Sequence, residues 1–213
     1  MDGTRHEIFR VDPQWVRRSV PLPQDWPSEF RKVEGVHLHC APEDVPRWAS
    51  FLRSQGEVIL LWEPWDSFCV PQNREQFAEY LTWVDIVSPN LGEARALTGQ
   101  REPQEVMMAL LTMGAKVVAL RMGEQGSLVG QLGGEVLAIP AIAPGHIVDV
   151  TGAGNAYCGG FVVGWVRFHD LYRAGLMGAI SASMALEQFG AVYDWRSARP
   201  RAHKLIEQFL ISS

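Results

Sequence analysis

The chain has 213 residues, of which 47% are apolar and eight are Trp, enough to bury one substantial core. Its 19 basic and 24 acidic residues give a formal charge of −5 without any basic run, which argues against direct nucleic-acid binding. Three scattered cysteines, no apolar leader and no apolar stretch long enough to span a bilayer point to a cytoplasmic protein, with no membrane partner, in reducing surroundings.

In chain order, Asp2-Gly3 is a turn pair and residues 4–11 are predicted as a strand. Residues 12–34, with Pro13, Pro21, Pro23 and Pro27, read as an irregular covering segment that Trp15 and Trp26 pin to the core. A repeating pattern begins at Gly35. Strands are predicted over 36–40, 58–62 and 84–88, and helices over 43–55 and 73–83, the second capped by Asn73. Short apolar strands alternating with amphipathic helices predict a parallel sheet covered on both faces. Trp62-Glu63-Pro64-Trp65 closes one of these strands, and its aromatics read as packing. The C-terminal edge of such a sheet is nevertheless where ligands bind.

Asn90 and Glu93, three residues apart, form a capping-box pair at a helix start. A helix over 103–113 is opened by proline and closed by Gly114, and 116–122 is a buried strand. Gly123-Glu124-Gln125-Gly126 turns the chain, and 127–132 pairs with 135–141 through Gly133-Gly134. Arg121, at the strand end, is either solvated or paired with phosphate oxygens.

The densest signal is Asp149-Val150-Thr151-Gly152-Ala153-Gly154-Asn155-Ala156. It follows Ile147-Val148, an apolar strand-like run, and opens a helix predicted over 156–168. Glycines at such a junction permit a sharp turn, and the first N–H groups of the helix then face an anion. Asp149 is placed to brace the turn. A second helix, 171–189, is rich in Ala, Gly and Ser and so suits close helix packing; Arg199-Pro200-Arg201 and 202–210 form a terminal amphipathic helix.

The central string closely resembles the signature of the PfkB, or ribokinase-like, family of carbohydrate and nucleoside kinases. The matches are Asp149, Gly152, Ala153 and Gly154, then Gly159, Gly160 and Phe161. Asn90 with Glu93, and Gly123 with Gly126, match two supporting motifs, although Arg121 stands where the family has Thr. The wording Trp-Glu-Pro, Ser-Pro-Asn-x-x-Glu and Thr-Gly-Ala-Gly-Asn looks most like the fungal "maintenance of killer" branch.

The resemblance implies a three-layer, doubly wound, mostly parallel α/β domain over 1–213, with 35–213 as a nucleotide-binding core. It also implies an N-terminal part with sugar-binding residues and a lid, for which the chain offers no counterpart. The implied ligands are ATP and Mg2+, with a sugar, polyol or nucleoside as acceptor. Gly152, Ala153 and Gly154 would form the anion hole. Asn90, Glu93, Arg121, Gly123, Gly126 and Asp149 would line the nucleotide, and Glu93 would hold the metal through water. Asn155 occupies the place of the family's catalytic Asp. Three readings follow: a kinase with a substituted base, a nucleotide-binding pseudokinase acting through a partner, and a truncated family fragment. An uncovered edge strand would favour a homo-oligomer.

Overall fold

A computed structural model describes residues 20–30, 32–190 and 195–211. The strand expected over 4–11 and the anchoring role of Trp15 lie outside the described residues. Trp26, in the covering segment, does pack edge-on against Trp48 and Phe51, with ring centroids 6.0 and 6.3 Å apart.

Four short parallel strands make most of the sheet: β1 (Gly35–Leu38), β2 (Ile59–Trp62), β3 (Ile86–Val87) and β4 (Val117–Arg121). The antiparallel hairpin β5 (Ser127–Gln131) and β6 (Val136–Ile139) completes the order β1-β2-β3-β4-β5-β6. Between the parallel strands run α1 (Val45–Ser54), α2 (Arg74–Leu81), α3 (Leu91–Thr98) and α4 (Pro103–Thr112). After the hairpin come α5 (Ala153–Phe168), α6 (Leu171–Ala185) and α7 (Trp195–Ile211).

Successive strand side chains point to opposite faces, and the two cores follow that alternation. Leu60 and Trp62 of β2, with Val118 and Leu120 of β4, pack against α1 to α4. Leu61, Val117 and Ala119 pack instead against α5, α6 and α7. This is the three-layer, mostly parallel arrangement expected from the sequence.

The contact of α5 with α6 depends on glycine. A Cβ at Gly164 would lie 2.7 Å from the Cα of Ala174, and one at Gly178 would lie 3.0 Å from the Tyr157 ring. Small residues therefore bring these two backbones together, as their composition predicts.

Two local expectations fail. Asn73 does not cap α2: a 3-10 turn, Pro71–Asn73, precedes the helix, and the Asn73 side-chain amide donates instead to the Phe68 carbonyl at 3.0 Å. Ile147 and Val148 form no strand and are solvent-exposed. The Val148 N–H is taken by a carbonyl just beyond α6 instead of by a sheet neighbour. The Val148 and Asp149 N–H groups donate to the Leu186 carbonyl, just past the end of α6, and the Gly145 N–H donates to Glu187 at 2.6 Å. Arg201 of α7 clasps the same Glu187 carboxylate.

Candidate active site

The C-terminal ends of the parallel strands carry the buried charge of the described residues. His37 is the penultimate residue of β1 with His39 just beyond its end, Glu63 follows β2, Ser88 to Asn90 follow β3, and Arg121 ends β4. The N-terminal turn of α5 arrives at the same edge. A Cβ on Gly154 would collide with the Arg121 guanidinium and lie 3.3 Å from Glu63 Oε1.

Gly152 supplies the turn. It sits at φ +83°, left-handed, with open space where a side chain would be. The helix starts at Ala153, three residues earlier than the sequence predicts. Among the described residues, the backbone N–H groups of Gly154 and Asn155 have no acceptor, as is usual in the first turn of a helix. The side chain of Asn155 is exposed on this turn. Asp149 braces the turn from below, accepting the Thr151 N–H at 2.9 Å. The turn thus presents unpaired donors and the positive end of a sixteen-residue helix.

The capping box is present in full. Asn90 Oδ1 accepts the Glu93 N–H at 2.9 Å, and Glu93 Oε2 accepts the Asn90 N–H at 2.7 Å. Glu93 Oε1 has no hydrogen bond among the described residues. Burial pushes the Glu93 carboxyl up to about 7, against the opposing pull of the Asn90 N–H and Arg121. A buried carboxylate with one uncommitted oxygen suits a hydrated magnesium ion, which takes few protein ligands. The cap and that role are compatible.

Arg121 is not a solvated strand end. Its guanidinium donates to Glu63 Oε1 at 2.8 Å and to the Ser88 carbonyl at 3.0 Å, and it stands 3.9 Å from Glu93. Its Nε is buried without a partner among the described residues. Burial disfavours the guanidinium charge, but the surrounding Cys158, Glu63 and Glu93 hold its pKa above the ordinary value. Two of its donors are therefore spent on the protein itself, and Arg121 braces both carboxylates.

Gly123 and Gly126 lie in the turn after β4, at φ +61° and +84°. A Cβ at Gly126 would run into the β6 end, 2.8 Å from the Ala141 nitrogen. That glycine is required by the close approach of two backbones, whatever ligand the turn meets.

Sequence reasoning passed over Glu63, His37, His39 and Cys158. Glu63 accepts from His37 Nε2 at 2.9 Å, and His39 Nδ1 stands 3.8 Å away. Burial raises the Glu63 pKa, yet the His37 hydrogen bond and the Arg121 charge outweigh it and hold the carboxyl below the usual range. Burial pushes the Cys158 thiol up to about 12, against the pull of Arg121. Two signals were legible: a charged residue directly after a fully apolar strand, and two histidines at the period-two spacing that puts side chains on one face.

The pfkB family carbohydrate kinase model matches residues 28–198. The chain is 36% identical over 179 residues to a cytidine kinase of Thermococcus kodakarensis, covering 83% of this chain and 61% of the relative. It is 27% identical to the protein MAK32 of Saccharomyces cerevisiae, covering 78% of this chain and 54% of the relative, in keeping with the fungal resemblance. The crystal structure of adenosine kinase from Sinorhizobium meliloti superposes with a TM-score of 0.69 and 26% identity, over 85% of this chain and 58% of that one. The chain thus spans a little over half the length of these relatives. No helix among the described residues is long and apolar enough to cross a membrane.

Proposed function

Because the chain belongs to the pfkB family of carbohydrate kinases, we propose that the α5 turn and the Asn90–Glu93 cap together bind a nucleoside triphosphate with magnesium. The observation that carries this reading is the convergence of unpaired helix N–H groups with a buried, half-committed carboxylate at one sheet edge. ATP would supply the phosphoryl group and magnesium would offset its negative charge. The free donors of the Gly152-Ala153-Gly154 turn, the Gly154 and Asn155 N–H groups, would meet the anion. Glu93 Oε1 would hold the metal through water, and Arg121 fixes the Glu63 carboxylate at 2.8 Å and stands 3.9 Å from that of Glu93. Gly123 and Gly126 shape the turn on the β4 side of the nucleotide.

Asn155 limits the chemistry. Its amide oxygen can accept a hydrogen bond from an acceptor hydroxyl and orient it, but it cannot take the proton at neutral pH. Loss of a general base costs ~10²–10⁴-fold in rate. Phosphoryl transfer through a loose transition state leans heavily on positioning, so a slow residual activity is expected. Nucleosides lead the acceptor candidates because the 36% identical relative is a cytidine kinase, with sugars and polyols next.

The test is calorimetry of magnesium-dependent ATP binding, followed by single-turnover transfer to a panel of nucleosides and sugars by the wild type and Asn155→Asp. The expected result is binding by both forms and faster transfer by the Asp variant, by about 10²–10⁴-fold. No nucleotide binding at millimolar concentration would end the kinase reading. Binding by both without transfer by either would favour a nucleotide-binding pseudokinase.

A further inference from the structure

Beside the anion turn lies a group of donors that phosphoryl transfer does not use. His37 Nε2, a Glu63 carboxylate oxygen and Cys158 Sγ all lie within 4.8 Å of one another. They come from three elements: β1, the segment after β2, and the second turn of α5. Glu63 and Cys158 are buried, while His37 is partly exposed and His39, 3.8 Å from Glu63, is about half-exposed. The cluster therefore has a closed protein side and one open side, and Arg121 keeps the Glu63 carboxylate from swinging away.

A lone buried cysteine is usually a small hydrophobe, and a His–Glu pair alone could be a hydrogen-bonded brace. The three together are a nitrogen, sulfur and oxygen donor set. Magnesium and calcium avoid thiolates, whereas zinc-class ions take all three donor types. Zinc bonds of about 2.0–2.3 Å at tetrahedral angles require donor separations of roughly 3.3–3.7 Å. The 2.9 Å His37–Glu63 contact must open and the wider separations must close by about 1 Å, which is within the reach of side-chain rotation. Charge also balances. Thiolate Cys158 and Glu63 carry two negative charges against a divalent ion, and Arg121 is shared between Glu63 at 2.8 Å and Glu93 at 3.9 Å.

We propose that His37, Glu63 and Cys158 form a zinc-class metal site, open toward His39, that ties β1 and β2 to the start of α5. On binding, His37 takes the tautomer with its proton on Nδ1, by exchange through solvent, so that Nε2 is free and the His37–Glu63 hydrogen bond is replaced by one bond from each to the metal. The Cys158 proton leaves to solvent as the metal–sulfur bond forms. No oxidation state changes. The site needs no nucleotide to take up the ion.

The probe is Co2+ added to the chelator-treated full chain. A thiolate-to-cobalt absorption band should saturate at one ion per chain, persist in Cys69→Ser and vanish in Cys158→Ser. His37→Gln, at a partly exposed position, should weaken cobalt binding by ~10-fold or more. It keeps the proposal testable if Cys158→Ser fails to fold. Absence of the band, a band that survives Cys158→Ser, or unchanged affinity in His37→Gln would each overturn the site.

Discussion

Replacing Arg121 by Met tests whether the sheet edge is held by a buried ion network. Met has a similar length and no charge, so the substitution leaves Glu63 and Glu93 without their cation while removing little volume. The Glu63 and Arg121 side chains are 7% and 13% exposed and meet at 2.8 Å. Removing one partner from a pair so buried costs about 3–5 kcal/mol, because the remaining charge is stranded rather than because the pair itself is strong. The Arg121→Met, Glu63→Gln double variant strands nothing at Glu63 and should recover at least ~1 kcal/mol relative to the sum of the single changes. Urea unfolding of the four proteins at pH 7 measures this. The pH dependence carries its own sign. The folded pKa of Glu63 lies below its ordinary value of 4.5. Its contribution is therefore complete above pH 4.5 and is lost as pH falls through the folded pKa. In Arg121→Met the burial of Glu63 is no longer opposed by the cation, so its carboxyl takes up a proton at higher pH than in the wild type. The penalty should shrink as pH falls through that raised pKa. A penalty under ~1 kcal/mol, or single effects that add within ~0.5 kcal/mol, would refute the network.

Gly154→Ala should destabilise the fold by about 1–3 kcal/mol, because its Cβ meets the Arg121 guanidinium. In an Arg121→Ala background the same change should become neutral or stabilising by up to ~1 kcal/mol through helix propensity, a reversal readable by thermal unfolding. The Arg201 hydrogen bond holds Glu187 down at about 2. Its contribution is present above pH 4.5 and fades toward pH 2, so Glu187→Gln should cost ~1 kcal/mol at pH 7 and nothing near pH 2 in denaturant titrations. Asn90→Ala should cost ~1 kcal/mol of stability through the lost cap and should also weaken any nucleotide affinity, so calorimetry and unfolding on one variant separate its two roles.

The layered fold was legible because each parallel strand is a short apolar run and each run alternates between two helix layers. The strand expected at Ile147-Val148 shows the limit of that logic. An apolar run becomes a strand only where a neighbour offers hydrogen bonds, and here the end of α6 offers them instead. The glycine turn before α5, the capping box and the bracing by Asp149 could be read because their partners are a few residues apart. The role of Arg121 could not be resolved, because Glu63, Ser88 and Glu93 reach it only when the strands align. Glu63, His37 and Cys158 escaped for the same reason: no local pattern announces donors that meet across three elements.

The segment between Gly145 and Asp149 hangs from Leu186 and Glu187, and Glu187 is gripped by Arg201 of the last helix. The pitch of the turn at the start of α5 is thus set partly from α7. A pull on α7, from a fused domain or an optical trap, would load the motif before it loads the sheet. Coupling of this kind runs in both directions. An anion that stiffens the turn should slow protease cutting in α7, about fifty residues downstream by sequence separation, so C-terminal clipping becomes a remote gauge of ligand at the turn.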